Sequence, residues 1–225
     1  MKYSGKIVII GAGETAALAY EYFTHDSAFS VAGFSVEEKY LETDAFLGLP
    51  VVPLESLENY HHPDKYQAFV AISSTQMNRV RTRLFKTVKG KGYRCVSYVS
   101  SRAFVWHNVE IGENCFILED NTIQPFVKIG DNVTLWSGNH VGHRTTIRDN
   151  CFIASHVVIS GFCDIGENCF LGVNSTITNN IIVAKDCLIG AGVLIRRNTQ
   201  EKKVYKITGT ESLEVSNLKP LREEE

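Results

Sequence analysis

Stepping through the second half of the chain in sixes returns an aliphatic residue every time. The run is Val99, Val105, Ile111, Ile117, Ile123, Ile129, Leu135, Val141, Ile147, Ile153, Ile159, Ile165, Leu171, Ile177, Val183, Ile189 and Ile195. A strict period of six fits neither the 3.6-residue turn of a helix nor a simple alternating strand. It fits a coil of three short strands, in which one aliphatic residue per strand points inward. Residues 99–197 are therefore expected to form a parallel β-helix of five to six coils, with residues 18 apart stacked on one another. Glycine often follows the aliphatic residue, at Gly112, Gly130, Gly142, Gly166, Gly172 and Gly190, and is expected to serve a tight corner.

This register explains the cysteines. Cys115, Cys151, Cys163, Cys169 and Cys187 each fall four residues after an aliphatic position, a slot shared by Ala103, Val127, Val133, Thr145, Val157, Ser175 and Val193. They are expected as small buried hydrophobes rather than metal ligands or disulfides, and no C-x-x-C spacing argues otherwise. Asn121 and Asn139 occupy the same slot 18 residues apart. They are expected to stack as an amide ladder, with Asn139 at the margin of a site.

The first 98 residues follow another pattern. Lys6 to Phe23 reads as strand, glycine turn and helix, and Gly11, Gly13 and Ala16 satisfy the G-x-G-x-x-G/A fingerprint that sets backbone N–H groups and a helix N-terminus against a phosphate. Further strands are expected at 30–34, 68–72 and 94–98, a loop at 48–53, and a helix over 76–89 ended by Gly90 and Gly92. The sum is a small Rossmann-like α/β sheet over 1–98. Phe34-Ser35-Val36 closes the second strand, where an NAD site would carry an acid for the ribose. A nucleotide or nucleotide-sugar site is expected instead, with a purely structural sheet as the alternative.

Three histidines fall in one window of the coils: His140, His143 and His156. Neutral imidazole is suited to general-base work near neutral pH. The 18-residue period sets His143 between Pro125 and Gly161, and His156 between Gly138 and Asn174, within reach of that amide. A zinc site on the three histidines is a rival reading. The formal charge of −2 and the ordinary apolar content argue against nucleic-acid or anionic-membrane surfaces. The start of the sequence lacks the long apolar stretch of a leader or a membrane span, so a cytoplasmic protein is expected.

Gly11-Ala12-Gly13, a sheet of about a hundred residues and an unbroken hexapeptide array together resemble the bacterial nucleotide-sugar acetyltransferases, the bacillosamine and perosamine N-acetyltransferases and the sialic acid O-acetyltransferases. The stretch from Phe170 to Ser175 is similar to a late coil of that family. The resemblance implies a left-handed β-helix, a homotrimer, and acetyl-CoA lying between adjacent β-helices as acyl donor, with no metal. It implies N-acetylation of a nucleotide-linked amino sugar for surface-glycan synthesis. Gly11, Gly13, Ser35, Ser73 and Ser74 would meet the nucleotide, with Asn139 and Asn174 near the acceptor. Gly172, Gly190, Gly192 and Arg196 would meet coenzyme A. The family's histidine base matches His143, with His140 and His156 as further candidates. Its acidic neighbours are replaced by Gly142 and Arg144, which leaves the orientation of His143 open and sets a cation beside it. A second family histidine matches Phe152. O-acetylation and a non-catalytic nucleotide-binding trimer are the alternatives. The 198–225 tail is expected to cover the CoA groove with its first residues and to be mobile at its end.

Overall fold

The computed structural model describes residues 4–207 and Gly209; the expectation for the last residues of the tail lies outside them. The chain opens with β1 (Gly5–Ile10), α1 (Glu14–His25) and β2 (Phe29–Val36). It continues through β3 (Ala45–Phe46), β4 (Leu49–Pro53), α2 (Leu57–Tyr60), β5 (Tyr66–Val70) and α3 (Arg79–Gly90). The sheet order is β3-β4-β2-β1-β5, with β4, β2, β1 and β5 parallel and β3 antiparallel on the edge. Ile7, Val8, Ile9 and Ile10 are almost wholly buried, as befits a central parallel strand covered on both faces.

Several boundaries differ from the sequence reading. The expected loop at 48–53 is β4, second from the sheet's edge; the two-residue β3 covers only Leu49 and Pro50, so much of its outer side needs no ladder donor and the prolines are tolerated. The helix expected from Gln76 begins at Arg79, because Gln76, Met77 and Asn78 take left-handed conformations. The expected strand at 94–98 reduces to a single bridge, Ala68 to Cys95, before the coil begins. Most consequential, β2 runs on to Val36, so that Glu37 closes it.

From β6 (Tyr98–Val99) to β22 (Leu194–Ile195) a two-residue strand recurs every six residues, and from β6 to β19 each pairs in parallel with the strand 18 residues on. Three faces result: β6, β9, β12, β15, β18 and β21 form the first; β7, β10, β13, β16, β19 and β22 the second; β8, β11, β14, β17 and β20 the third. This is the left-handed parallel β-helix, a triangular prism. From Ile117 to Ile195 the period-six aliphatics are no more than 5% exposed. Each contributes about 1.5–3 kcal/mol of burial. The cysteines of the small slot are buried and free. A further strand, β23 (Val204–Tyr205), pairs with β21, so the coil outlasts the aliphatic run and takes up the first part of the expected tail.

The corner glycines have another role than the one expected. Gly112, Gly130, Gly142, Gly166 and Gly172 do not take positive φ; a Cβ there would strike the next coil, as at Gly172, 2.6 Å from the Ala191 nitrogen. The left-handed corner residue comes two places later, at Asn114, Asp120, Asn132, Asn150, Asn168, Asn174, Asn180 and Asp186 among others. Asn and Asp are the non-glycine residues that bear this conformation best. The amide ladder is likewise elsewhere. Asn114 donates to Asn132 Oδ1 and Asn132 to Asn150 Oδ1, both at 2.8 Å, along the edge between third and first faces. Asn121 and Asn139 instead both donate to the Trp136 carbonyl.

That ladder fastens the two parts together. Arg81 on α3 is 1% exposed and donates to the carbonyls of Val70, Asn114 and Asn132. Burial pushes its pKa down to about 10. Asn114 also accepts from the Val70 N–H at 2.7 Å, and Asn78 donates to the Asn150 carbonyl. The N-terminal sheet therefore sits on the first face and the edge beside it.

Candidate active site

Two neighbouring cavities lie at the strand ends of the N-terminal sheet, the second of them against the coil. The first, about 300 Å³, is lined by Gly11, Gly13, Ser35, Glu37, Tyr40 and Glu42 among others. Gly11 has φ +125°, and a Cβ there would lie 2.7 Å from the Ala71 carbonyl oxygen, so only glycine fits this turn. Gly13 caps α1, and no atom lies within 4 Å of where its Cβ would stand. Such a turn leaves room for an anion at a helix N-terminus. Ser35 is fully buried beneath this cavity, yet its hydroxyl has no hydrogen-bond partner. Glu37 is held by both Arg83 guanidinium nitrogens at 2.9 and 2.8 Å, which lowers its pKa. It stands where a Rossmann sheet carries its ribose acid. The sequence reading missed it by ending β2 two residues early.

The second cavity, about 180 Å³, shares Ile72 with the first and is lined by Thr15, Ser73, Ser74, Arg81, Trp136 and Phe152 among others. Phe116, Thr134, Trp136 and Phe152 come from the first face, so this cavity bridges sheet and coil. Phe152 stacks on Phe170 with ring centroids 5.3 Å apart. The expected nucleotide residues thus fall into one group around Gly11, Gly13 and Ser35, and a second at Ser73 and Ser74.

The histidines do not gather. His140 is half-buried on the second face, between Thr122 and Val158. His156 sits on the edge between first and second faces, its ring over Gly138; no hydrogen bond to Asn174 forms. His143 lies on the edge between second and third faces, opposite the first face and therefore opposite its own chain's cavities. The zinc reading fails on this dispersal, and among the described residues no cluster of three or more potential ligands stands together. Asn139 is 1% exposed, donates to Trp136 and accepts from the Val157 N–H, so it is scaffold and not a substrate contact.

Around His143 the edge is built for an open ring. Gly161 lies directly against the imidazole, where a Cβ would come within 2.8 Å of it. Phe162 meets the ring edge-on at 5.0 Å. The Arg144 guanidinium stacks over Phe126 at 4.4 Å. Gln124, one coil earlier, sends its side-chain oxygen to the His143 backbone nitrogen at 2.9 Å and to Nδ1 at 3.2 Å. No sequence pattern flagged Gln124, because the contact spans 19 residues and depends on the corner. Phe126, Arg144 and Phe162 all hold φ near +60°. That conformation is costly for such side chains, and strain of this kind collects at functional sites. The edge nearest the N-terminal sheet uses asparagines at the same positions.

Of the expected coenzyme residues, Gly172, Gly190 and Gly192 run together along the first face into its edge with the second. Arg196 is exposed just beyond β22, across the second face from them. Phe104, Trp106, Val158 and Leu194 on that second face are 40–54% exposed.

With this geometry in place, comparison identifies its kind. Profiles of the bacterial transferase hexapeptide match residues 108–143 and 126–161, and a succinyl-transferase hexapeptide repeat matches 164–197. A histidine-to-asparagine variant of perosamine N-acetyltransferase from Caulobacter crescentus, crystallised with CoA and GDP-perosamine, is 25% identical. It aligns over 92% of this chain and 98% of its own, with a TM-score of 0.77. The chain is an acyltransferase whose coil carries hexapeptide repeats over 108–161 and 164–197. The acyltransferase also shares its fold with the acetyltransferase domain of PglB from Neisseria gonorrhoeae, at 20% identity, 88% and 95% coverage and a TM-score of 0.78. WeeI from Acinetobacter baumannii has the same fold at 19% identity, 90% and 96% coverage and a TM-score of 0.66. No curated protein matches the acyltransferase significantly. No helix among its described residues is long and apolar enough to cross a membrane.

Proposed function

We propose that the protein transfers the acetyl group of acetyl-CoA to the amino group of a nucleotide-linked amino-deoxy sugar, as a step in building a bacterial surface glycan. The observation that carries the reading is the pairing of an anion-ready pocket, with Gly11 and the unsatisfied Ser35 hydroxyl, with an open imidazole at His143. The diphosphate meets the turn at Gly11 and Gly13, the ribose hydroxyls meet Glu37, and the sugar extends past Ser73 and Ser74. The perosamine enzyme, crystallised with CoA and GDP-perosamine, supports this choice of substrates.

Transfer is direct. The acceptor amine attacks the thioester carbonyl and the new C–N bond forms. His143 takes the amine proton as base, the C–S bond breaks, and the imidazolium returns that proton to the departing CoA thiolate. Gly172, Gly190 and Gly192 offer a strip free of side chains for the pantetheine arm, and Arg196 a cation for the phosphates. Because His143 lies on the edge opposite its own pocket, the site is completed by a second copy. The exposed apolar second face is the surface through which three copies associate.

Thiol release from acetyl-CoA, measured against UDP-, dTDP- and GDP-linked 3- and 4-amino sugars, tests the proposal. Turnover with one of them is expected. Silence with acetyl-CoA still bound would turn the reading to a hydroxyl acceptor, and silence without binding to a non-catalytic scaffold.

A further inference from the structure

Something other than an acidic neighbour must hold the ring of His143, and the edge supplies it. We propose that Gln124 is a positioning residue that locks neutral His143 as its Nδ1–H tautomer and leaves Nε2 free to accept the proton. The catalytic consequence rests on the acetyl-transfer reading; the tautomer itself does not.

The assignment follows from donors and acceptors alone. The backbone N–H of His143 can only donate, so the Gln124 atom 2.9 Å away must be the amide oxygen and not its nitrogen. This removes the ambiguity of the amide's orientation. That oxygen can only accept, and it lies 3.2 Å from Nδ1, so Nδ1 carries the proton. A neutral imidazole has one N–H, and the lone pair is therefore on Nε2. One oxygen thus clamps both the backbone and the ring of a single residue.

The surroundings leave this contact to act alone. The edge here comprises residues 124–126, 142–144 and 160–162, in which Arg144 is the sole charged group, and its guanidinium is stacked on Phe126. Gly161 gives the ring its floor and Phe162 its wall, both without polar side-chain atoms. A carboxylate in the same place would orient the ring and also stabilise its protonated form. The amide oxygen orients it while adding no charge.

The test uses 15N-histidine-labelled full-length protein and long-range 1H–15N correlation spectra, with His143 assigned by its loss in His143→Ala. At a pH where the ring is neutral, the pattern of the Nδ1–H tautomer is expected. Gln124→Met should shift it towards the Nε2–H form that water-exposed histidine favours, and lower kcat about 10–100-fold with KM little changed. Gln124→Glu keeps the acceptor, so it should retain the Nδ1–H tautomer and most of kcat. It should also move the acid limb of the kcat/KM profile upward by about one pH unit. An Nε2–H pattern in the unsubstituted protein, or a tautomer and kcat untouched by Gln124→Met, would overturn the proposal. If the Nδ1–H tautomer depends on Gln124 but no donor or acceptor turns over, the acetyl-transfer reading fails while the clamp stands. If His143→Ala abolishes turnover but Gln124→Met changes neither tautomer nor rate, the clamp fails and the reading stands.

Discussion

His61 is 7% exposed, packed edge-on against Tyr66, and both its ring nitrogens lack partners. Burial lowers its pKa below the ordinary 6.5. The unfolded chain therefore takes up this proton at a pH where the folded chain does not. The stability is fully present above about pH 6.5 and is lost as the pH falls through the lowered folded value. His61→Phe should flatten the acid side of a Tm-against-pH curve below about pH 6.5, whereas an unchanged curve would place the acid sensitivity elsewhere. At the active edge, His143→Ala should lower turnover about 10²–10⁴-fold with acetyl-CoA binding retained. A near-normal kcat would remove His143 from the chemistry. At this scale the sequence was only partly legible. His143 and its neighbours Pro125 and Gly161 followed from the 18-residue period, because stacking in a coil is arithmetic. Gln124 and Glu37 did not, since one depends on how a corner aims a side chain and the other on where β2 ends. Asn139 was misplaced for a related reason: the slot was read correctly as interior, yet a polar residue there still suggested a site.

Among the elements, the coil corner holds two separate requirements that the sequence merges into one. Gly166 is needed because a Cβ would lie 2.5 Å from the Lys185 nitrogen and 2.8 Å from the Ala184 carbonyl carbon, backbone atoms that cannot swing away. Asn168 is needed because the chain turns there with φ 58°. Gly166→Ala should destabilise by about 1–3 kcal/mol by forcing adjacent coils apart. Asn168→Gly should be nearly neutral, because glycine takes the same conformation freely. Equal melting temperatures for Gly166→Ala and the parent would contradict this division. The coil strands were legible one by one, since burying one aliphatic residue per hexad leaves no alternative register. The N-terminal sheet was less so: β4 contains two prolines, which read as a loop until the strand is seen to lie towards the sheet's edge. The fraying of α3 depends on the left-handed turn at 76–78, which no periodicity reports.

For the whole molecule, the two parts are tied through a buried cation rather than a broad apolar contact alone. Replacing Arg81 by Met would leave the Val70, Asn114 and Asn132 carbonyls without their donor. The cost should be at least about 2 kcal/mol, with a fall in Tm of roughly 4–8 °C. That the chain joins a sheet to a coil was evident from the change of pattern near residue 98; how they are fastened was not, because the ladder of Asn114, Asn132 and Asn150 acquires its meaning only when α3 lies across it. The fastening also fixes the pocket against the first face, away from the edge that carries His143. The proposed reaction then needs a site shared between copies, which can be tested by mixing two inactive chains. One carries His143→Ala. The other carries Gly13→Asp, an N-cap residue that suits the helix but sets a carboxylate where the proposal puts the phosphates. Each alone should be inactive. Co-expressed, they should recover about a quarter of the parent turnover, the share of interfaces in which an intact His143 meets an intact pocket in a symmetric ring. Mixed assemblies that remain as inactive as their parents would contradict a site shared between copies.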